Sequence, residues 1–175
     1  KGVTVELDTR ASAEDLGSGW DAVVLATGVT PRALSLEGID HPSVLSYVDV
    51  ILHNKPVGDR VAIIGAGGIG FDVAAFLTHA AGHPLGSKEA IASYLKEWGV
   101  DPEMQTPGGL ATGTDHPPAR KVFLCQRKDG KMGAGLGKTT GWIHRSALKK
   151  RSVEMLSKCS YSRIDDAGLH LSVRG

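Results

Sequence analysis

One glycine-rich segment constrains the fold more than any other part of the chain. The apolar run 61–64 leads into the pattern Gly-x-Gly-x-x-Gly at Gly65, Gly67 and Gly70, and a stretch rich in small residues follows. A strand, a tight turn and a helix in this order place the pyrophosphate of a dinucleotide on the helix N-terminus. The sequence therefore predicts an α/β fold with a Rossmann-like nucleotide-binding domain.

Each glycine of this pattern has a separate expected role. Gly65 permits the tight turn, Gly67 lets the pyrophosphate approach the backbone, and Gly70 lets the helix pack closely on the strand. The alternative is a glycine-rich loop that serves packing alone, but the flanking strand and helix patterns favour nucleotide binding. We expect the cofactor to contact the whole turn, namely Gly65, Ala66, Gly67, Gly68, Ile69 and Gly70.

The choice between NAD and NADP depends on the residues that follow the second strand, which we predict at 121–126. Arg127 and Lys128 come first, and Asp129 is only third. An NADP site uses Arg or Lys for the 2′-phosphate, whereas an NAD site uses a carboxylate for the ribose hydroxyl. We therefore predict NADPH, bound by Arg127 and Lys128. The alternative is that both cations are solvated and that Asp129 turns inward to bind NAD.

The segment between the first helix and the second strand is unusually long. In a simple dinucleotide domain the residue that recognises the ribose follows the glycines after only about 20 residues. Here residues 80–119 intervene, rich in Pro and Gly, with one predicted helix at 87–98 and Ser87 as its N-cap. We interpret residues 80–119 as an insertion, of a length that often marks a functional or interface loop.

An earlier segment indicates a second nucleotide-binding domain. Residues 20–26 predict a buried strand, which ends at Thr27 and Gly28. A strand that ends in Ala-Thr-Gly and precedes a Gly-x-Gly-x-x-Gly pattern is typical of a segment that connects a flavin-binding domain to a nicotinamide-binding domain. We assign residues 1–55 to part of an FAD-binding domain, with Thr27 and Gly28 facing FAD, and residues 56–175 to the NADPH-binding domain.

The remaining patterns predict short elements. They are a strand at 3–7, a helical turn at 13–16, a helix at 46–54, a glycine-rich loop at 132–138, a basic helix at 140–150 and a hairpin over 159–173 that turns at 165–168.

Composition and charge exclude several classes of protein. The net charge of +1 disfavours nucleic acid and membrane surfaces as partners. No basic-then-apolar leader is present and no apolar run approaches the roughly 18 residues of a membrane span, so we expect a cytoplasmic protein. We expect Cys125 and Cys159 to be reduced, buried or half-buried thiols. We expect no metal site, because neither the cysteines nor the histidines show metal-ligand spacing.

The chain resembles the bacterial NADPH-dependent 2,4-dienoyl-CoA reductases over essentially its whole length. The segments that carry the resemblance are 26–32, 61–74 and 131–142, the last being a glycine-rich loop that ends in Trp142. The trimethylamine and histamine dehydrogenases share this architecture. Lys138, in the same loop, is expected to bind a phosphate or to face the flavin side.

The resemblance implies a larger enzyme of which this sequence is a part. Such an enzyme has a barrel that holds FMN and substrate, a 4Fe–4S cluster, and an FAD domain interrupted by an NADPH domain. Hydride passes from NADPH to FAD, and electrons then reach FMN through the cluster to reduce a 2,4-dienoyl-CoA of unsaturated fatty acid β-oxidation. The expected partners of this chain are therefore NADPH and the remaining domains. We expect no catalytic acid or base here, weak NADPH binding, and no reduction by this sequence alone.

Two alternatives stay open at this point. The first is a different enzyme on the same scaffold, such as an amine dehydrogenase; a disulfide reductase would need a redox pair of cysteines, and no Cys-x-x-Cys is present. The second is a non-catalytic module that holds an ADP-like nucleotide. ADP has no 2′-phosphate, so Arg127 and Lys128 favour NADPH over this second alternative.

Overall fold

The structure of the protein, a computed structural model, describes residues 2–79, 84 and 86–174. The chain divides into two units, residues 1–32 and residues 33–175.

The first unit has one short helix. α1 (Ala13–Leu16) begins after Ser12, whose hydroxyl accepts the Asp15 N–H while the Asp15 carboxylate accepts the Ser12 N–H. This capping box fixes the first turn of so short a helix, and the helical turn predicted at 13–16 is confirmed.

The two strands predicted in the first unit are wrong. Among the described residues of this unit, neither 3–7 nor 20–26 forms a strand, and both apolar runs are exposed, with Val24 at 87%. A strand needs a hydrogen-bonded neighbour and a face to bury. About 30 residues supply too little apolar surface for a core of their own. The apolar pattern alone is therefore not sufficient to form a strand in this unit.

A parallel three-stranded sheet lies at the centre of the second unit. Its strands β1 (Arg60–Ile64), β2 (Lys121–Cys125) and β3 (Glu154–Leu156) are neighbours in that order. Ile64 is in register with Cys125, and Cys125 is in register with Leu156. The carboxyl ends of all three strands therefore meet at one edge of the sheet, which is where α/β proteins bind nucleotides.

The helices of the second unit agree with most of the predicted segments. Ser87 caps its helix as predicted, because its hydroxyl accepts the Ala90 N–H at 3.1 Å. The helix predicted at 46–54 is shorter in the structure, where Leu52 is already its C-cap. The bounds are α2 (Tyr47–Ile51), α3 (Gly68–Thr78), α4 (Lys88–Trp98) and α5 (Gly141–Lys150).

The core forms where α3 covers the sheet. Small and apolar side chains of α3 lie against β2, and the adjacent α2 and α5 each add an apolar side chain. The buried residues of this core are Val50, Phe71, Val73, Ala74, Leu77, Val122, Leu124, Met132, Leu148 and Val153. Val50 belongs to the segment that the sequence assigned to the FAD domain, although it packs in this core. The division of domains near residue 55 stays a prediction.

A β-hairpin completes the second unit. β4 (Cys159–Asp165) and β5 (Gly168–Val173) pair antiparallel, with an irregularity between Tyr161 and Arg163. Gly168, at the end of the turn, has φ of +115°, a conformation that favours glycine. The predicted hairpin and its turn are confirmed.

Candidate functional site

The turn between β1 and α3 is held against the neighbouring strand. Gly65 has φ of +117°, which strains any residue with a side chain. Its N–H donates to the carbonyl oxygen of Cys125 at 2.9 Å. The turn is therefore fixed to the carboxyl end of β2 as well as to its own strand.

The outer part of the same turn is open. A Cβ atom added at Gly67 or at Gly68 would meet no atom within 4 Å. Gly67 is the N-cap of α3 and has no side chain to accept the first-turn N–H groups, which lack intrahelical partners. Free N–H donors at the positive end of a helix dipole, with space in front of them, suit a phosphate.

Gly70 has a different environment. A Cβ atom at this position would collide with the carbonyl oxygen of Gly65 and would lie 3.4 Å from Cδ1 of Leu124. The geometry agrees with the packing role expected of the third glycine. Of the other two residues of the turn, Ala66 packs against the core and Ile69 is exposed. Contact of these six residues with a cofactor stays a prediction.

The sheet brings Arg127 and Lys128 to the same edge as the glycine turn. β1 and β2 are parallel and in register to their last residues, so the residues that follow Cys125 lie beside those that follow Ile64. Both basic side chains are exposed. Their loop is shaped by Gln126, whose Nε2 donates to the carbonyl oxygens of Lys128 at 3.2 Å and Gly130 at 3.1 Å.

Lys158 is a residue of this edge that the sequence analysis did not identify. Its Nζ lies 3.5 Å from Oδ2 of Asp129, and its N–H donates to the carbonyl oxygen of Lys128 at 3.2 Å. Asp129 is thus paired with a cation on the surface. The alternative interpretation, in which the chain binds NAD, requires Asp129 to turn inward to the ribose. The parallel pairing of β3 with β2 explains why Lys158 lies at this edge, because it brings the residues that follow the two strands together.

The second glycine-rich loop, residues 132–138, packs beside the first turn of α3. Gly133 lies so close to Phe71 that an added Cβ atom would be 2.7 Å from Cζ of that ring. Arg145 Nη1 donates to the carbonyl oxygen of Gly133 at 3.1 Å. Lys138 and Trp142 are exposed at and beyond the end of this loop. A phosphate or flavin-side contact of Lys138 stays a prediction.

Thr27 and Gly28 belong to the first unit, where both are exposed and lie outside helices and strands. Their expected contact with FAD stays a prediction.

Cys125, two residues before Arg127, and Tyr161 both have raised pKa values. Burial, and then the neighbouring Cys159 thiol, raise the pKa of Cys125 to about 12. Burial likewise raises the pKa of Tyr161 to about 12, and its hydroxyl has no hydrogen-bond partner among the described residues. A neutral, buried thiol is a poor nucleophile, so Cys125 contributes to packing. Both cysteines are free and buried.

The described part of the chain contains neither a membrane-spanning helix nor a metal-binding cluster. Within residues 2–79, 84 and 86–174, no helix combines the length and apolar character needed to cross a bilayer. The same residues hold no cluster of three or more His, Cys, Asp or Glu side chains arranged to bind a metal ion.

Comparison with known proteins identifies the family of this chain and similar regions within longer proteins. The family described as pyridine nucleotide-disulphide oxidoreductase matches residues 2–174. The chain is 44% identical to a cinnamate reductase of Clostridium sporogenes over 77 residues, which are 43% of this chain and 11% of that protein. It is 24% identical to a metal reductase of Desulforamulus reducens over 176 residues, which are 96% of this chain and 24% of that protein.

A solved structure among those that match resembles the chain over nearly all its length. It is a 2-naphthoyl-CoA reductase in complex with 2-naphthoyl-CoA, with a TM-score of 0.61, 20% identity, and coverage of 98% of this chain and 20% of that one. At this identity the likeness shows the fold. The chain spans less than a quarter of the length of each of these relatives.

Proposed function

Because the chain belongs to the pyridine nucleotide-disulphide oxidoreductase family, whose members bind FAD and NAD(P)H, we propose that its second unit binds NADPH. The glycine turn at 65–70 holds the pyrophosphate, and Arg127 with Lys128 holds the 2′-phosphate. NADPH, when bound, supplies a hydride, and this chain positions it.

A single observation supports one continuous nucleotide site at this edge of the sheet. The Gly65 N–H donates to the Cys125 carbonyl oxygen at 2.9 Å, so the glycine turn and the end of β2 are in direct contact. Arg127 and Lys128 follow Cys125 by only two and three residues. One nucleotide that spans this edge therefore meets helix N–H groups at one end and two cations at the other.

The residues of the site fit this group in three ways. Open space before Gly67 and Gly68 admits a pyrophosphate. Arg127 offers a planar fork for a phosphate and Lys128 a point charge. The pairing of Asp129 with Lys158 engages the carboxylate that would otherwise be available to the ribose of NAD.

We also propose the enzyme to which this chain contributes. Its named relatives are reductases: one of cinnamate, one of metals, and one in complex with 2-naphthoyl-CoA. The family, together with the first and third of these names, supports a flavin-dependent reductase of unsaturated carboxylates or their CoA thioesters. The resemblance of 61–74 and 131–142 to dienoyl-CoA reductases supports a 2,4-dienoyl-CoA as substrate. The FMN, the 4Fe–4S cluster and the substrate site are assigned to parts of the enzyme outside this sequence.

Titration with NADPH and NADH, followed by tryptophan fluorescence, tests the nucleotide proposal. We expect tighter binding of NADPH, and we expect Arg127→Ala with Lys128→Ala to weaken it by about tenfold or more, since each charge-assisted contact is worth over 1 kcal/mol. NADH should change less than about twofold. Lys149→Ala, which removes an exposed lysine on α5, is the matched control and should leave both affinities unchanged. Equal losses for the two nucleotides would exclude Arg127 and Lys128 as the 2′-phosphate site.

A further inference from the structure

A groove runs along α4, in the segment interpreted as an insertion. Its volume is about 370 Å³, and Lys88, Ile91, Ala92, Leu95, Lys96 and Val100 are among the residues that line it. Residues spaced by three or four along a helix share one face. The α4 groove is therefore a continuous strip of apolar surface with a lysine near each end of that face.

The opposite wall of the α4 groove is held in place by the backbone. The Ala111 N–H donates to the Gly99 carbonyl oxygen at 2.8 Å, and the Thr114 N–H donates to the Lys96 carbonyl oxygen at 3.0 Å. Val100 also forms a bridge with Leu110. These contacts return the chain beside the end of α4, so the groove has two structured sides.

The charge of the α4 groove is of one sign. Lys88 and Lys96 are the charged side chains among the described residues that line it. Nearby carboxylates are engaged elsewhere: Glu97 pairs with Arg151, and Asp101 accepts the Thr106 N–H at 2.9 Å. Glu89 lies in the first turn of α4 outside the lining. An occupant of matching chemistry has an apolar body and one negative charge.

We propose that the α4 groove binds a medium-chain carboxylate, with the alkyl chain against Ile91, Ala92 and Leu95 and the carboxylate at one of the two lysines. The groove volume falls within the range of small-molecule sites, about 300–1,000 Å³. A stable protein partner would require roughly 800 Å² on each side, more than one face of a helix of 11 residues supplies. The proposal is independent of NADPH, because the glycine turn and the Arg127–Lys128 pair do not line this groove.

Calorimetric titration of the 175-residue chain with octanoate tests the proposal, with octylamine as a probe of equal length and opposite charge. We expect saturable binding of octanoate and none of octylamine. Lys88→Glu with Lys96→Glu should weaken octanoate binding by about tenfold, because the reversal removes the attraction of an exposed ion pair and adds repulsion of the carboxylate. Lys149→Glu on α5 is the control and should leave the affinity unchanged.

A second variant keeps the test informative if the double charge reversal disturbs α4. Ala92→Phe fills the apolar strip and should abolish octanoate binding, while far-ultraviolet circular dichroism and NADPH affinity remain those of the unchanged chain. Absence of saturable octanoate binding would overturn the proposal. Equal binding of octanoate and octylamine, or octanoate binding that Ala92→Phe leaves intact, would overturn it too.

Discussion

The Arg151 guanidinium lies 3.3 Å from the Glu97 carboxylate and joins the C-terminus of α5 to the last turn of α4. The two side chains are only 17% and 13% exposed. Arg151 Nη1 also donates to the Ala75 carbonyl oxygen of α3 at 3.4 Å, and Lys150 Nζ donates to the Glu97 carbonyl oxygen at 2.8 Å. The insertion is therefore attached to the nucleotide-binding unit through one largely buried ion pair and its neighbours.

Removal of Arg151 should destabilise the chain substantially. Arg151→Met keeps an apolar stem but leaves the Glu97 carboxylate largely buried without its partner, a situation that costs several kcal/mol at a fully buried site. Since this pair retains some exposure, we expect the free energy of unfolding to fall by about 2 kcal/mol, measured by urea denaturation.

The control for this prediction is a more exposed pair on the sheet. Lys121 Nζ lies 3.0 Å from the Glu154 carboxylate, with side chains 54% and 48% exposed. Lys121→Met should cost less than about 1 kcal/mol. Equal losses for the two variants would contradict the anchoring role of the Arg151–Glu97 pair.

Alanine substitution should separate the glycines of the nucleotide turn into two classes. Gly70→Ala introduces a Cβ atom that collides with the Gly65 carbonyl oxygen, so we expect a loss of about 1–3 kcal/mol in unfolding free energy. Gly67→Ala points a Cβ atom into open space from an extended backbone with φ of −84°. Because Gly67 is the N-cap of α3, where alanine is disfavoured relative to glycine, this variant should lose less than about 1 kcal/mol of unfolding free energy, and it should weaken NADPH binding.

Thermal unfolding and nucleotide titration of the two variants check these expectations together. A Gly67→Ala chain that binds NADPH as well as the unchanged chain would argue against a close approach of the pyrophosphate at this glycine. A Gly70→Ala chain of full stability would argue against the tight packing of α3 on β1.

The nucleotide turn and the first two strands of the sheet are predictable because their determinants are local, whereas β3, a strand of three residues, was not predicted. The apolar run, Gly65 and the small residues after it specify strand, turn and helix within about 20 residues, and Ser87 specifies the start of α4 in the same way. The strand predicted at 20–26 depends instead on partners that the described residues of the first unit do not provide. Lys158 is missed for a related reason, since only the pairing of β2 with β3 places it beside Asp129.

Asp129 should weaken NADPH binding by competing for Lys158. If the proposed 2′-phosphate site is right, Asp129→Asn releases the Lys158 ammonium and removes a negative charge from the edge of the sheet. We expect NADPH to bind a few-fold more tightly, while NADH changes little, because exposed charge pairs are worth about 0–1 kcal/mol. The dissociation constants from fluorescence titration measure this difference. Loss of NADH binding in this variant would instead indicate that Asp129 holds the ribose of NAD.

The buried Cys125 thiol should make stability fall with rising pH. Its pKa is about 12 in the folded chain and about 8.5 when unfolded. Between these values the folded state binds more protons than the unfolded state, so its contribution is complete below about pH 8.5 and is lost as the pH rises. We expect the unfolding free energy of the unchanged chain to decrease from pH 8 to pH 10. The maximum slope from one such group is about 1.4 kcal/mol per pH unit.

The Cys125→Ala variant isolates this contribution. It removes the titrating thiol at the cost of a small cavity, so its unfolding free energy should be lower at pH 7 but should decrease less between pH 8 and pH 10. Tyr161, whose pKa is raised from 10.0 to about 12 in the folded chain, adds its own decrease near pH 10, but it does so in both chains and therefore cancels from the comparison. Urea denaturation at several pH values measures both slopes. If the two chains show the same slope, burial does not hold the Cys125 thiol in its protonated form over this pH range.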